Sequence, residues 1–244
     1  MAEPPGARTR PVRPAPSGRS QVAHYARLSG VLGFVFAGLF VAGLALVDRS
    51  PGLTVTDAAY AAFYGEGGRT VLVTVGLYIV PFAGIAFLWH MTTARLLVRE
   101  LVASPPAIPF GLQVLAGGLF VGLLFCGAAA AGAVALMADI GSGPLPDAQV
   151  GRVLTGVGYA MVFVYAVRAG GMYVITTTTL LMSAGMLPRW LGILSYLLAA
   201  GMLLTTTFNP AVLLVLPGWV ALVGVVLFVR AGRSGVVGLP EAAA

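Results

Sequence analysis

Arg168 poses the sharpest chemical question in this chain. It stands in Val164-Tyr165-Ala166-Val167-Arg168-Ala169-Gly170-Gly171, the middle of a long apolar segment. A guanidinium at the centre of a membrane helix costs at least about 2.5–3.5 kcal/mol on insertion scales, so something must offset it. Three arrangements would do so. The helix slides until the side chain snorkels to the cytoplasmic interface, with Gly170-Gly171 as a break. Alternatively the guanidinium faces the bundle interior and bonds tyrosine hydroxyls, threonines or carbonyls freed by Pro81. In the third arrangement it holds an anionic group of a ligand. Sliding outward would strand the apolar run Met172 to Ser183 in water, which counts against snorkelling. Arg168 is therefore expected to face the protein interior or a wet cavity. Tyr78 and Tyr165 are the nearest partners in depth by counting residues, and the three form the candidate ligand-binding set.

Other chemistry is sparse. No Asp or Glu falls at mid-depth in any apolar run: Asp48 and Asp139 sit at outer ends and Glu100 beyond an inner end. Proton-driven pumps relay through intramembrane carboxylates or histidines, so that class loses support. The sequence holds no H-E-x-x-H, C-x-x-C or P-loop, and neither a metal nor another cofactor is expected. His24 precedes the first run and His90 lies late in the second, a poor pair for haem; His90 is expected as an interfacial, snorkelling side chain. Cys126, the single cysteine, is expected as a small buried hydrophobe. The threonines at 176–179 and 205–207 are expected to bond their own i−4 carbonyls more than to line a polar path. No catalytic residue emerges, and the chain is read as a non-enzyme.

The elements that position these residues follow from composition. The chain has 244 residues, 59% hydrophobic and 9% charged, with a mean hydropathy of +0.96. An ordinary soluble domain carries about 25% charged residues, so the bilayer is the expected solvent. Six continuous apolar runs, at 28–47, 70–94, 110–138, 153–183, 190–207 and 211–229, can each cross about 30 Å of hydrocarbon as a helix. The expected fold is all-α, a polytopic bundle of six transmembrane helices. Residues 1–27 read as a disordered, basic, Pro-rich tail, 28–231 as the membrane domain, and 232–244 as a second short tail. The first run is too long for the apolar core of a signal peptide and reads as a retained helix.

All 14 basic residues are Arg. With the N-terminus inside, ten fall in cytoplasmic segments, while Arg49, Arg69 and Arg152 fall outside. The positive-inside rule then places both termini in the cytoplasm of an inner (plasma) membrane. The net charge of +6 reads as topology and contact with anionic headgroups. The basic tail is too sparse for nucleic acid.

Local signals mark the ends. Thr56 or Asp57 can cap a short outer helix over 56–64, whose Tyr60, Phe63 and Tyr64 at i, i+3 and i+4 would lay an aromatic edge on the membrane interface. Asp147 reads as an N-cap, Gly185 as a helix end, Pro188 and Trp190 as an interfacial start, and Asn209-Pro210 as a turn. Pro81 and Pro217 should kink the second and sixth helices. Small residues at Ser29, Gly33 and Ala37, at Gly118, Gly122, Gly127 and Ala131, and at Gly156 and Gly158 mark helix-packing faces.

Phe87-Leu88-Trp89-His90, Leu187-Pro188-Arg189-Trp190-Leu191-Gly192 and Gly158-Tyr159 add one more pointer. On these motifs residues 28–231 resemble an uncharacterised family of bacterial, chiefly actinobacterial, six-helix integral membrane proteins. The resemblance implies the fold and carries over no activity, cofactor or site residue. Three function classes remain, in this order. The first is a non-enzymatic scaffold or regulator of a membrane-protein partner or a second copy of the chain. The second is a carrier or binding protein for an amphipathic or anionic molecule held by Arg168. The third is a membrane enzyme without a recognisable motif.

Overall fold

The structure, a computed structural model, describes residues 18–47, 50, 52–65, 68–140, 146–205 and 207–233. Among these every regular element is helical. Helix α1 is Gly18–Val47 and α2 is Asp57–Gly65. Helix α3 covers 68–101 and is interrupted by a π-turn at Val75–Ile79; α4 is Ala107–Ile140. Helix α5, Ala148–Ser183, carries a second π segment at Ala160–Ala166. Helix α6 is Arg189–Leu204, and α7 begins with a 3-10 turn, Pro210–Leu214, before its α-helical part Val215–Arg233. Five of the seven, α1, α3, α4, α5 and α7, are long and apolar enough to cross a membrane.

The sixth expected span is shorter than the sequence suggests. α6 has 16 residues, about 24 Å at 1.5 Å per residue, less than the hydrocarbon thickness. Its apolar run continues to Thr207, but the helix stops at Leu204, with Thr205 already extended. Asn209 then starts the next element, its side chain accepting from the Ala211 N–H at 2.9 Å.

Several end signals have the expected form. Asp147 caps α5 by accepting from the Gln149 N–H at 2.7 Å, and Thr56 accepts from the Ala59 N–H at 3.3 Å. Gly185 has φ of 66°; Met186 N–H bonds the Leu181 carbonyl and Gly185 N–H that of Met182, a Schellman closure. Pro81 lacks the N–H that would continue the ladder. The π-turn ends at Ile79, two residues before it, so the interruption is absorbed by a wider turn. Pro217 falls in the first α-helical turn of α7, just after the 3-10 piece.

The first helix begins earlier than expected. Residues 18–27, assigned above to the tail, are its opening turns: Ala26 is fully buried, and Val22 and Tyr25 pack on the core. Residues 1–17 and 234–244, which hold the remainder of both expected tails, lie outside the described residues.

The helices form a ring in the order α1, α3, α4, α5, α6, with α7 packed against α1. Small residues set the closest approaches. A Cβ on Gly30 would meet the Gly224 carbonyl at 3.0 Å, and one on Gly158 would lie 2.6 Å from the Gly127 carbonyl. Gly118, Gly122 and Gly156, also expected as packing positions, have nothing within 4 Å of a Cβ and face outward. Cys126 is exposed as well, contrary to the buried position expected. Its helix presents Gly127 to the bundle instead, and the preceding residue, Cys126, is turned away.

At the end of the bundle rich in arginine, here the basic end, the core is aromatic and tightly filled. Phe87 has ring contacts with Phe36, Phe120 and Tyr173 at 4.8–5.0 Å, and Tyr173 packs on Trp219 at 6.2 Å.

Candidate functional site

The distal half of the bundle is built differently. α4 has 34 residues and α5 has 36, each over 50 Å long by the usual rise of about 1.5 Å per residue. The α6–α7 hairpin does not keep pace. Its tip residue Phe208 packs on Phe163 at 5.9 Å, in the π segment midway along α5. Roughly fifteen residues of α5, about 22 Å of helix, stand beyond that level. The mismatch leaves a partly open cavity of about 420 Å³ bordered by α1, α3, α4, α5 and the hairpin tip.

Both π segments contribute to its wall, Val75, Gly76 and Ile79 from one and Val162 and Phe163 from the other. π-turns inside α-helices occur frequently at functional sites. Glycines keep the space open: Gly76 and Gly132 line it with nothing within 4 Å of a Cβ. The floor is apolar, with Phe40, Leu124 and Leu213. Below it the Phe36–Phe87–Phe120 cluster fills the axis, so the cavity ends blind.

The polar wall residues come from the distal end: Ser50, Tyr64, Thr155 and Tyr159. Tyr64 is carried by α2, which docks inward. Tyr60 and Tyr64 are 5% and 3% exposed and pack with Leu72, Val134 and Ala135. The expected short helix exists, but its aromatic edge faces the bundle and not the lipid interface. Gly151 makes this possible, because a Cβ there would lie 1.8 Å from the Tyr60 hydroxyl. Arg152 ties the other side of α2, pairing with Asp57 and donating to the Val55 carbonyl at 3.0 Å. Burial, with Tyr60 and Tyr159 nearby, pushes the Tyr64 phenol up to about 12. It is therefore a neutral hydroxyl at physiological pH.

The residues singled out from sequence lie elsewhere. Arg168 is half-buried, and its Nη1 donates to the Val164 carbonyl at 2.8 Å, within its own helix and at the end of the π segment. Tyr78 and Tyr165 are 59% and 58% exposed. Among the described residues no hydrogen bond joins the three, and none of them lines the cavity. The candidate set is thus not brought together. A carbonyl one turn back supplies the acceptor that the tyrosines were expected to supply.

His90 is the clearest departure. Its side chain is fully buried, not interfacial. The ring Nδ1–H donates to the Ser29 carbonyl at 2.8 Å, with Ser29 Oγ 3.2 Å away. A Cβ on Gly33 would lie 3.1 Å from Nδ1, so the small residues of α1 form the slot that receives the imidazole. Gln113, not singled out from sequence, joins α4 to α5 by donating to Thr177 Oγ1 at 2.8 Å. Thr176 and Thr179 bond their own i−4 carbonyls as expected, whereas Thr178 Oγ1 is buried without a partner among the described residues and Thr207 accepts from the Asn209 N–H. Thr206 lies outside the described residues.

The cavity itself went unnoticed in sequence, although a signal existed. Two helices longer than a bilayer requires stand beside a run closed early by Asn209-Pro210, and glycines recur at 43, 76, 127, 132 and 158. Among the described residues no group of three or more His, Cys, Asp or Glu is placed to hold a metal ion. No family model, curated protein or solved structure matches this chain.

Proposed function

We propose that this protein is a multi-pass membrane protein that binds a mostly apolar molecule drawn from the bilayer, acting as a carrier or binding protein without a catalytic step. The observation that carries this reading is the blind cavity of about 420 Å³ in the distal half, within the roughly 300–1,000 Å³ of small-molecule sites. A void of that size among well-packed helices forfeits dispersion contacts unless something fills it. Its apolar floor and hydroxyl-bearing upper wall suit an amphipath. The binding class therefore moves ahead of the scaffold class, and Arg168 leaves the proposed site. The scaffold reading retains one observation: Gly118 and Gly122 turn an open small-residue face outward from α4, as packing on another membrane helix would require.

In this reading α6 completes a sixth crossing, the basic end faces the cytoplasm, and the membrane is a bacterial plasma membrane. The Arg-rich ends of α3 and α7 and the start of α6 support that orientation. The resemblance to the actinobacterial six-helix family belongs to the same proposal.

The test fills the cavity. Gly132→Leu places a side chain into open space on the cavity wall, while Gly118→Leu points one away from the bundle. Native mass spectrometry of the purified proteins should show a retained apolar molecule on wild type and Gly118→Leu. Retention by Gly132→Leu should fall at least about tenfold, the equivalent of 1.4 kcal/mol. Equal occupancy in all three, with each protein folded, would sink the proposal.

A further inference from the structure

The hydroxyls at the upper wall differ in which hydrogen-bonding roles remain to them. Ser50 Oγ already donates its proton to the Val47 carbonyl at 2.6 Å. Thr155 Oγ1 donates to the Gly151 carbonyl at 3.0 Å. A hydroxyl has one proton and two lone pairs, so both oxygens offer the cavity acceptors only. Tyr64 is the complement. Its phenol is buried and neutral, and no hydrogen bond to its hydroxyl is present among the described residues. It can donate as well as accept.

No charged side chain lines the cavity among the described residues. Arg152, one turn before Thr155 on α5, is already committed to Asp57 and the Val55 carbonyl. Against the described lining a phosphate or carboxylate head would meet two acceptor oxygens and the Tyr64 donor with no cation, and desolvating such an anion without a charged partner is very costly. An ammonium head would find no carboxylate among the described lining residues. A head that both donates and accepts suits this lining, giving its proton to Ser50 or Thr155 and taking one from Tyr64.

We infer that the cavity selects a neutral lipid alcohol, an apolar chain on the floor with an uncharged hydroxyl head held by Tyr64 and by Ser50 or Thr155. This rests on the cavity-binding reading proposed above and adds the identity of the head. The described lining disfavours a charged phospholipid head, which would leave its charge unpaired there.

The experiment keeps the chain constant and changes the head. Full-length protein in detergent is titrated with myristyl alcohol, myristyl phosphate, myristyltrimethylammonium and tetradecane, and binding is read from displacement of a fluorescent fatty alcohol. Myristyl alcohol should bind at least about tenfold more tightly than the two charged amphiphiles, a ratio of one or two polar contacts. Tyr64→Phe should bring the alcohol close to tetradecane while leaving tetradecane unchanged. If Tyr64→Phe fails to fold, Ser50→Ala combined with Thr155→Val removes both acceptors and should narrow the same gap. Equal binding of all four probes, lost in Gly132→Leu, would overturn the head assignment and leave the cavity reading standing. Binding unaffected by Gly132→Leu would overturn both. Tighter binding of the phosphate would replace the alcohol with an anionic lipid and overturn the inference.

Discussion

At the scale of single residues, the local environment decides what depth alone does not. Arg168 was conspicuous because a charge in an apolar run is expensive, and that reasoning correctly says it needs an acceptor. It does not say which. A carbonyl within the π segment belongs to the same helix and costs no tertiary arrangement, so Val164 provides it. His90 shows the reverse error. Its position late in α3 suggested the interface, but the slot made by Ser29 and Gly33 on another helix holds it dry. Contacts between helices far apart in sequence cannot be read from either segment alone. These placements yield a prediction. Arg168→Leu removes an awkward charge that lines no cavity, so ligand retention should stay within about twofold of wild type. The melting temperature in detergent should hold or rise, since replacing a poorly compensated buried charge by an apolar side chain is often stabilising. Loss of the bound molecule from a folded Arg168→Leu protein would return the guanidinium to the site.

At the scale of elements, helix identity was legible because twenty-odd apolar residues in a row leave few alternatives in a bilayer. Capping was legible too, since Asp147, Asn209 and Gly185 act through neighbours one to four residues away. Which face of a helix packs was not. Glycine spacing marked Gly118 and Gly122 as readily as Gly127 and Gly158, yet only the latter pair meets a neighbouring helix. The aromatic i, i+3, i+4 pattern of α2 specified one face and left its direction open. Gly151, some ninety residues away, turns that face inward. The distinction among glycines is measurable. A Cβ at Gly158 would press on the Gly127 carbonyl at 2.6 Å and on Ala131 at 2.9–3.0 Å, backbone atoms included. Gly158→Ala should therefore destabilise the protein by about 1–3 kcal/mol, as overpacking commonly does. Gly122→Ala, with open space around it, should change stability by less than about 0.5 kcal/mol. Unfolding by titration with SDS would compare the two, and equal effects would contradict the close approach of α4 and α5.

At the scale of the molecule, the cavity and the topology share one cause, the α6–α7 hairpin stopping short while α4 and α5 continue. Whether α6 counts as a crossing does not alter where the described chain ends lie. Gly30 faces Gly224 and Gly33 faces Val220, so α1 and α7 run antiparallel. Arg230 donates to the Gly185 carbonyl, which puts the end of α7 beside the α5–α6 turn. The start of α1 and the end of α7 are therefore at one end of the bundle, together with Arg95, Arg99 and Arg189. At the other end Arg152 is neutralised by Asp57, which sharpens the charge difference between the two ends. The positive-inside rule then predicts the basic end in the cytoplasm, and with it the orientation of the cavity toward the outer leaflet. In a Cys126→Ala background, Gln149→Cys at the exposed start of α5 should react in intact cells with a membrane-impermeant maleimide. Ser104→Cys, in the exposed α3–α4 turn, should react only after the cells are opened. A cytoplasm-only fluorescent reporter fused after Ala244 should give signal. Labelling in the opposite pattern would invert the protein and move the cavity to the cytoplasmic leaflet. Labelling of both sites in intact cells would mean that the short hairpin and its neighbours do not span as a unit.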